Sequence, residues 1–130
     1  MIKIQKVSEF KQVPEGEQIL KVTSVKLLPS GRPQELEIKY SHESGATLQE
    51  KFKFSNEKAM NILGQRCNIA LGGEVPEGTE ISESTLPDIF SGKSFNVMIK
   101  ITEKDGKKYS NIHYYKSLVA EEETQVGSDL

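Results

Sequence analysis

The chain holds 130 residues, 28% of them charged and 35% hydrophobic, with a net charge of −2. That length suits one domain with a small core, and the near balance of charge gives no overall basic character of the kind that announces nucleic acid. One cysteine, Cys67, and two histidines, His42 and His113, exclude an intramolecular disulfide framework, a multi-cysteine zinc site and a histidine-rich metal cluster.

The opening residues, MIKIQKVSEF, contain no apolar run fit for a signal peptide, and no stretch approaches the length of a membrane span. A soluble, cytoplasmic protein is expected. Pro14-Glu15-Gly16 is a turn signal, and residues 17–28 then read as a long strand. Leu20 and Val22 share one face of it and Val25 and Leu27 the other, so a bulge near Thr23-Ser24 is expected to bring all four to one side. After a turn at 29–33, residues 34–41 alternate cleanly, with Leu36, Ile38 and Tyr40 against Glu35, Glu37 and Lys39. Residues 47–54 alternate again, Leu48, Phe52 and Phe54 against Gln49, Lys51 and Lys53. Glu50 is the exception on the apolar face and is expected near the strand's rim. Tyr40 is expected in the core with its hydroxyl at the rim.

Ser55 is placed as the N-cap of a helix over 56–71, where Ala59, Met60, Ile62, Leu63, Cys67 and Ala70 recur at helical spacing. Gly72-Gly73 stops it. Residues 74–92 carry five carboxylates and no Lys or Arg, and read as an acidic loop with a short helical turn around Leu86–Phe90. Residues 93–103 alternate as a strand, Lys104-Asp105-Gly106 is a hairpin turn, and 107–118 form the last strand. Residues 119–130 read as an acidic, disordered tail, leaving 1–118 as the domain. Three strands, a helix and two strands give an all-β protein with one helix. Five strands with the helix between strands three and four are the connectivity of the OB-fold barrel.

The charges are unevenly placed. Residues 1–118 carry +2 and the tail −4; within the body the 74–92 loop carries −5 and the remainder +7. Lys39, Lys51 and Lys53 point away from the core on strands two and three, and the last hairpin holds six lysines between 93 and 116. If Ile112 points inward, strict alternation turns Tyr109, His113 and Tyr115 outward, interleaved with Lys107, Lys108 and Lys116. Cations along a groove suit phosphates, and exposed rings suit bases. The expected nucleic-acid contacts are therefore Lys39, Lys51, Lys53, Lys100, Lys107 and Lys108 to phosphates, with Tyr109, His113 and Tyr115 stacking on bases. A structural pairing of Tyr109 and Tyr115 across strands is the competing reading.

No enzyme assembles from these residues. Phe90-Ser91-Gly92-Lys93-Ser94 ends like a phosphate-binding loop, but the required upstream glycine is Pro87 and the lysine opens a strand. Cys67 reads as a small core residue. The carboxylates of 74–92 lack the spacing of a calcium loop. No cofactor and no metal are expected.

Pro14-Glu15-Gly16 before a long strand, Leu86-Pro87-Asp88-Ile89-Phe90-Ser91-Gly92-Lys93 leading into an alternating strand, and Asp105-Gly106-Lys107-Lys108-Tyr109-Ser110-Asn111-Ile112 together resemble small phage-encoded single-stranded DNA-binding proteins of Gram-positive bacteria. The resemblance spans roughly residues 14–118. It implies an OB-fold, sequence-tolerant binding of single-stranded DNA, a role in phage replication or recombination inside the bacterial host cell, and a homodimer or higher homo-oligomer. It also implies recruitment of replication or recombination proteins through the acidic tail, although this tail ends Gly127-Ser128-Asp129-Leu130, without the terminal aromatic of bacterial single-strand binders. An alternative is that the tail competes for the basic groove. The alternative function is a β-barrel protein–protein interaction module of phage assembly or regulation.

Overall fold

The computed structural model describes residue 2, residues 12–29 and residues 32–119. Five strands form one antiparallel sheet: β1 (Gly16–Leu28), β2 (Glu35–Ser41), β3 (Thr47–Lys53), β4 (Ser94–Lys104) and β5 (Lys107–Leu118). Helices α1 (Glu57–Ala70) and α2 (Leu86–Phe90), the latter preceded by a 3₁₀ turn at Glu83–Thr85, lie between β3 and β4. The order across the sheet is β3-β2-β1-β4-β5.

The barrel expected from the sequence is not closed. Among the described residues no backbone ladder joins the edge strands β3 and β5. Side chains meet across that gap instead: Arg66 of α1 donates to the Glu50 carboxylate on β3 and, at 3.4 Å, to the Ile112 carbonyl on β5. The Tyr40 hydroxyl on β2 meets that of Tyr115 on β5. The sheet therefore curls until its second and fifth strands touch, and the helix fills the seam.

The curl begins in β1, whose pairing with β2 shifts register between Val22 and Ser24, where the alternation called for a bulge. Beyond the shift Val25 faces Ile38 and Leu27 faces Leu36, so both rejoin the inner side with Leu20 and Val22. The core contains Leu20, Val22, Leu36, Ile38, Phe90, Phe95, Val97 and Ile99. Full burial of a side chain of this size contributes about 1.5–3 kcal/mol. Cys67 is buried there too, as expected.

Helix α1 starts one residue later than Ser55 predicts. A turn closed by the Asn56 N–H on the Lys53 carbonyl ends β3, and Asn56 becomes the N-cap, its side chain accepting from the Ala59 N–H at 2.8 Å. At the other end Gly73 donates to the Asn68 carbonyl and Gly72 to that of Ile69, a Schellman closure that needs the positive φ of Gly72. Lys93 donates to the Ala70 carbonyl in the last turn, where a cation is favoured. In the β4–β5 turn Asp105 and Gly106 both have positive φ, the pair of conformations a two-residue type I′ hairpin requires.

Among the described residues no helix is long and apolar enough to cross a membrane. Val119 donates its N–H to the Ser94 carbonyl; the disorder expected of residues beyond it lies outside the described residues.

Candidate nucleic-acid interface

The outer face of the sheet carries the candidate side chains in rows that follow from the register. In the β1–β2–β3 half, Lys26, Glu37 and Lys51 form one row, and Ser24, Lys39 and Gln49 the next. Glu35 stands opposite Lys53. Lys39, Lys51 and Lys53 are exposed, as expected. Yet Lys51 and Lys53 each face a glutamate directly across the ladder, and opposite charges so placed attract. Glu37 is nearly buried and accepts from Gln49 at 2.9 Å. No aromatic ring stands in these rows.

The β4–β5 half differs. Thr102 faces Tyr109, Lys100 faces Asn111, Met98 faces Tyr114 and Asn96 faces Ser117. Lys100, Lys107 and Lys108 are exposed, and among the described residues none of them makes an ion pair. Two other hairpin lysines are engaged. Lys93 caps α1, and Lys116 holds Glu17 at 3.0 Å, a hydrogen bond that raises the ammonium pKa.

The outward placement of Tyr115 is corrected. The β4–β5 ladder shifts register between Met98 and Ile99: Ile112 pairs with Ile99, His113 is skipped, and Tyr114 pairs with Met98. The skipped residue reverses the alternation, so Ile112 and Tyr115, three apart, both face inward. Tyr115 is 5% exposed, while Tyr114 is 42% and Tyr109 46% exposed. Tyr114, which alternation turns inward, is the residue the sequence reading missed; neither strand β4 nor strand β5 carries a glycine or proline to mark the bulge. His113 is exposed and its ring lies against that of Tyr114, 5.2 Å between centroids. By strand rise, Tyr109 and Tyr114 stand about 14 Å apart along β5. The outer surface of the hairpin thus offers two rings, an imidazole, Lys100 and Lys107, while Lys108 stands on the other side opposite Glu103.

Tyr115 does not pair with Tyr109 either. It packs on Phe95 at 4.5 Å and lies under the Arg66 guanidinium at 4.8 Å. Tyr40 and Glu50 complete this interior cluster, so neither the Tyr40 hydroxyl nor the Glu50 carboxylate sits at a rim as expected. Tyr40 donates to Glu50 at 2.7 Å, and Arg66 bridges to the same carboxylate oxygen. Burial, then the Glu50 charge, push both tyrosine hydroxyls well above their ordinary range. Burial works against the Arg66 charge, but Glu50 more than offsets it and the guanidinium pKa is raised. The cluster is a structural device rather than a binding surface.

Neither histidine joins a metal set. Among the described residues no group of three or more His, Cys, Asp or Glu is placed to hold an ion. His42 is nearly buried; its Nδ1 accepts from the Ser44 N–H at 3.1 Å, and Nε2 then donates to Gln18 Oε1 at 2.8 Å. Burial pushes the Cys67 thiol up to about 11, far from the value of a reactive thiolate. No protein-family model matches the chain, and no curated protein matches it significantly.

Proposed function

We propose that the chain is a single-stranded DNA-binding protein of OB-fold type, sequence-tolerant and non-catalytic, acting in phage DNA replication or recombination. The observation that carries this reading is the outer face of β4–β5, where Tyr109 and Tyr114 stand exposed beside Lys100 and Lys107. Aromatic rings spaced along a cationic strand give bases a surface to stack on and phosphates a counter-charge, with no demand for a particular base. The strand order, with helices inserted after the third strand, supports the OB-fold, which is a partly open five-stranded barrel.

The test is fluorescence anisotropy of labelled oligo-dT at low and moderate salt, with duplex of equal length as competitor. Salt-sensitive binding that duplex does not displace is expected. Absence of binding at low salt rejects the reading.

A second reading has its own observation. Ile19, 52% exposed, and Tyr114 stand in adjoining rows of the same outer face with Met98 between them. An apolar strip of this kind also fits a protein interface. Capture of a protein partner by the chain after nuclease treatment, together with failure of the oligonucleotide titration, favours it.

A further inference from the structure

Away from the sheet's outer face, α1 and the loop that follows it enclose a groove of about 620 Å³. One wall is helical: Met60, Leu63, Gly64 and Cys67 of α1, with Leu71 just after it, recur at the three- and four-residue spacing that puts side chains on one face. The floor is apolar and incompletely covered. Phe54, Met60 and Ile81 are only partly buried, and Leu71 at the lip is 44% exposed. At Gly64 the wall carries no side chain, and a Cβ there meets nothing within 4 Å. The loop is fixed to the helix where the Asn68 side chain accepts from the Val75 N–H at 3.1 Å.

The rim is of one sign. Glu77 and Glu83 line the groove, Glu74 and Glu80 stand exposed in the same loop, and no lysine or arginine lines it. Among the described residues none of these four carboxylates makes an ion pair. A cleft rimmed by unneutralised carboxylates repels a phosphate backbone, so it is no extension of a DNA path, and it attracts a cationic chain. Its floor is made of side chains rather than a strand edge, which fits a helix laid in the groove and not an added strand. We propose that this groove docks a basic amphipathic helix of a partner protein. The apolar face of that helix covers the floor, and its lysines or arginines meet Glu77 and Glu83. Gly64, with no side chain of its own, lets the incoming helix lie close against α1. The groove and the β4–β5 face are separate surfaces, so either can fail without the other.

The test titrates the isotope-labelled full chain with a synthetic helical peptide of leucine, alanine and lysine, its leucines at three- and four-residue spacing, and reads the amide signals by NMR. Two control peptides carry glutamate in place of every lysine, or serine in place of every leucine. Saturable shifts at Met60, Gly64, Leu71 and Ile81 are expected with the lysine–leucine peptide, and binding weaker by about fivefold or more with each control. Glu77→Lys with Glu83→Lys is expected to weaken the lysine–leucine peptide by about the same factor. That pair leaves the carboxylates of residues 119–130 in place, so the loss reports the rim and not the overall charge. Gly64→Gln fills the open wall with a helix-favouring residue and is expected to weaken binding as well, with a circular-dichroism melt no lower than the parent's showing that the fold persists. Shifts confined to other regions, equal binding of the three peptides, an affinity indifferent to either variant, or no saturable binding overturns the proposal.

Discussion

Arg66 carries a charge into the interior because every partner it needs is already there: the Glu50 carboxylate, the Ile112 carbonyl, and the rings of Phe52 and Tyr115 at 5.3 and 4.8 Å. Removing one member of such a set leaves the other uncompensated. Arg66→Met is expected to lower stability by about 3–5 kcal/mol, read from urea unfolding, and a second change, Glu50→Leu, to recover part of that loss. Equal loss in the single and double variants rejects the pairing as the cause. Cys67 gives a second prediction at this scale. Its thiol holds a proton up to about 11 in the folded chain against 9.0 as its ordinary value. The folded state therefore binds that proton more tightly, so its contribution is complete below pH 9 and is lost as pH rises towards 11. Tyr40 and Tyr115 shift in the same direction, so the diagnostic quantity is a difference. Cys67→Ala is expected to lose less stability than the parent between pH 9 and 11. Parallel pH curves reject it.

At the scale of elements, most of the chain was legible because its strands and helix follow period. The span of β5 was read correctly at 107–118, β1 to within one residue, and the Thr23-Ser24 bulge from the way four apolar residues fall on two faces. The bulge at His113 was not legible. Ile112 and Tyr115 are both acceptable inner residues, and so are Ile112 and Tyr114; only the pairing with β4 and the Arg66 cluster decides between them. Glu50 failed for the same reason, because its partner Arg66 lies sixteen residues away on α1. The consequence for binding is measurable. Tyr109→Ala and Tyr114→Ala are each expected to weaken oligo-dT binding by about 1–3 kcal/mol, while Tyr115→Phe leaves affinity unchanged. Loss with Tyr115→Phe and none with Tyr114→Ala rejects the β5 face. The two halves of the sheet are also distinguishable by salt. Converting Lys100 and Lys107 to Gln is expected to flatten the slope of log affinity against log salt by about 1.4. Lys51→Gln with Lys53→Gln is expected to change it less, because Glu37 and Glu35 face those lysines across the ladder. The reverse order moves the phosphate path to β2–β3.

The whole molecule separates its charge. The basic hairpin lies on the sheet's outer face, the acidic 74–92 loop adjoins the groove beside α1, and the segment from 119 to 130 carries −4 beyond the end of β5. The separation lets a net charge of −2 coexist with a locally basic face on the β4–β5 hairpin. Charges further apart than the Debye length, about 10 Å at 0.1 M salt, are largely screened, so each surface acts by its local sign. The C-terminal segment is the exception, because it is continuous with the strand that holds Tyr109, Tyr114, Lys107 and Lys108. It is joined to that strand at Leu118, and a tethered anion acts at an effective concentration set by the length of its tether. Deleting residues 119–130 is therefore expected to tighten oligo-dT binding several-fold at low salt. The gain should shrink as salt rises, since screening weakens the tail and the DNA contacts together. Identical titrations for the full and shortened chains at low salt would show that the segment does not reach the hairpin lysines, and a gain that persists undiminished at high salt would show that it acts by something other than its charge.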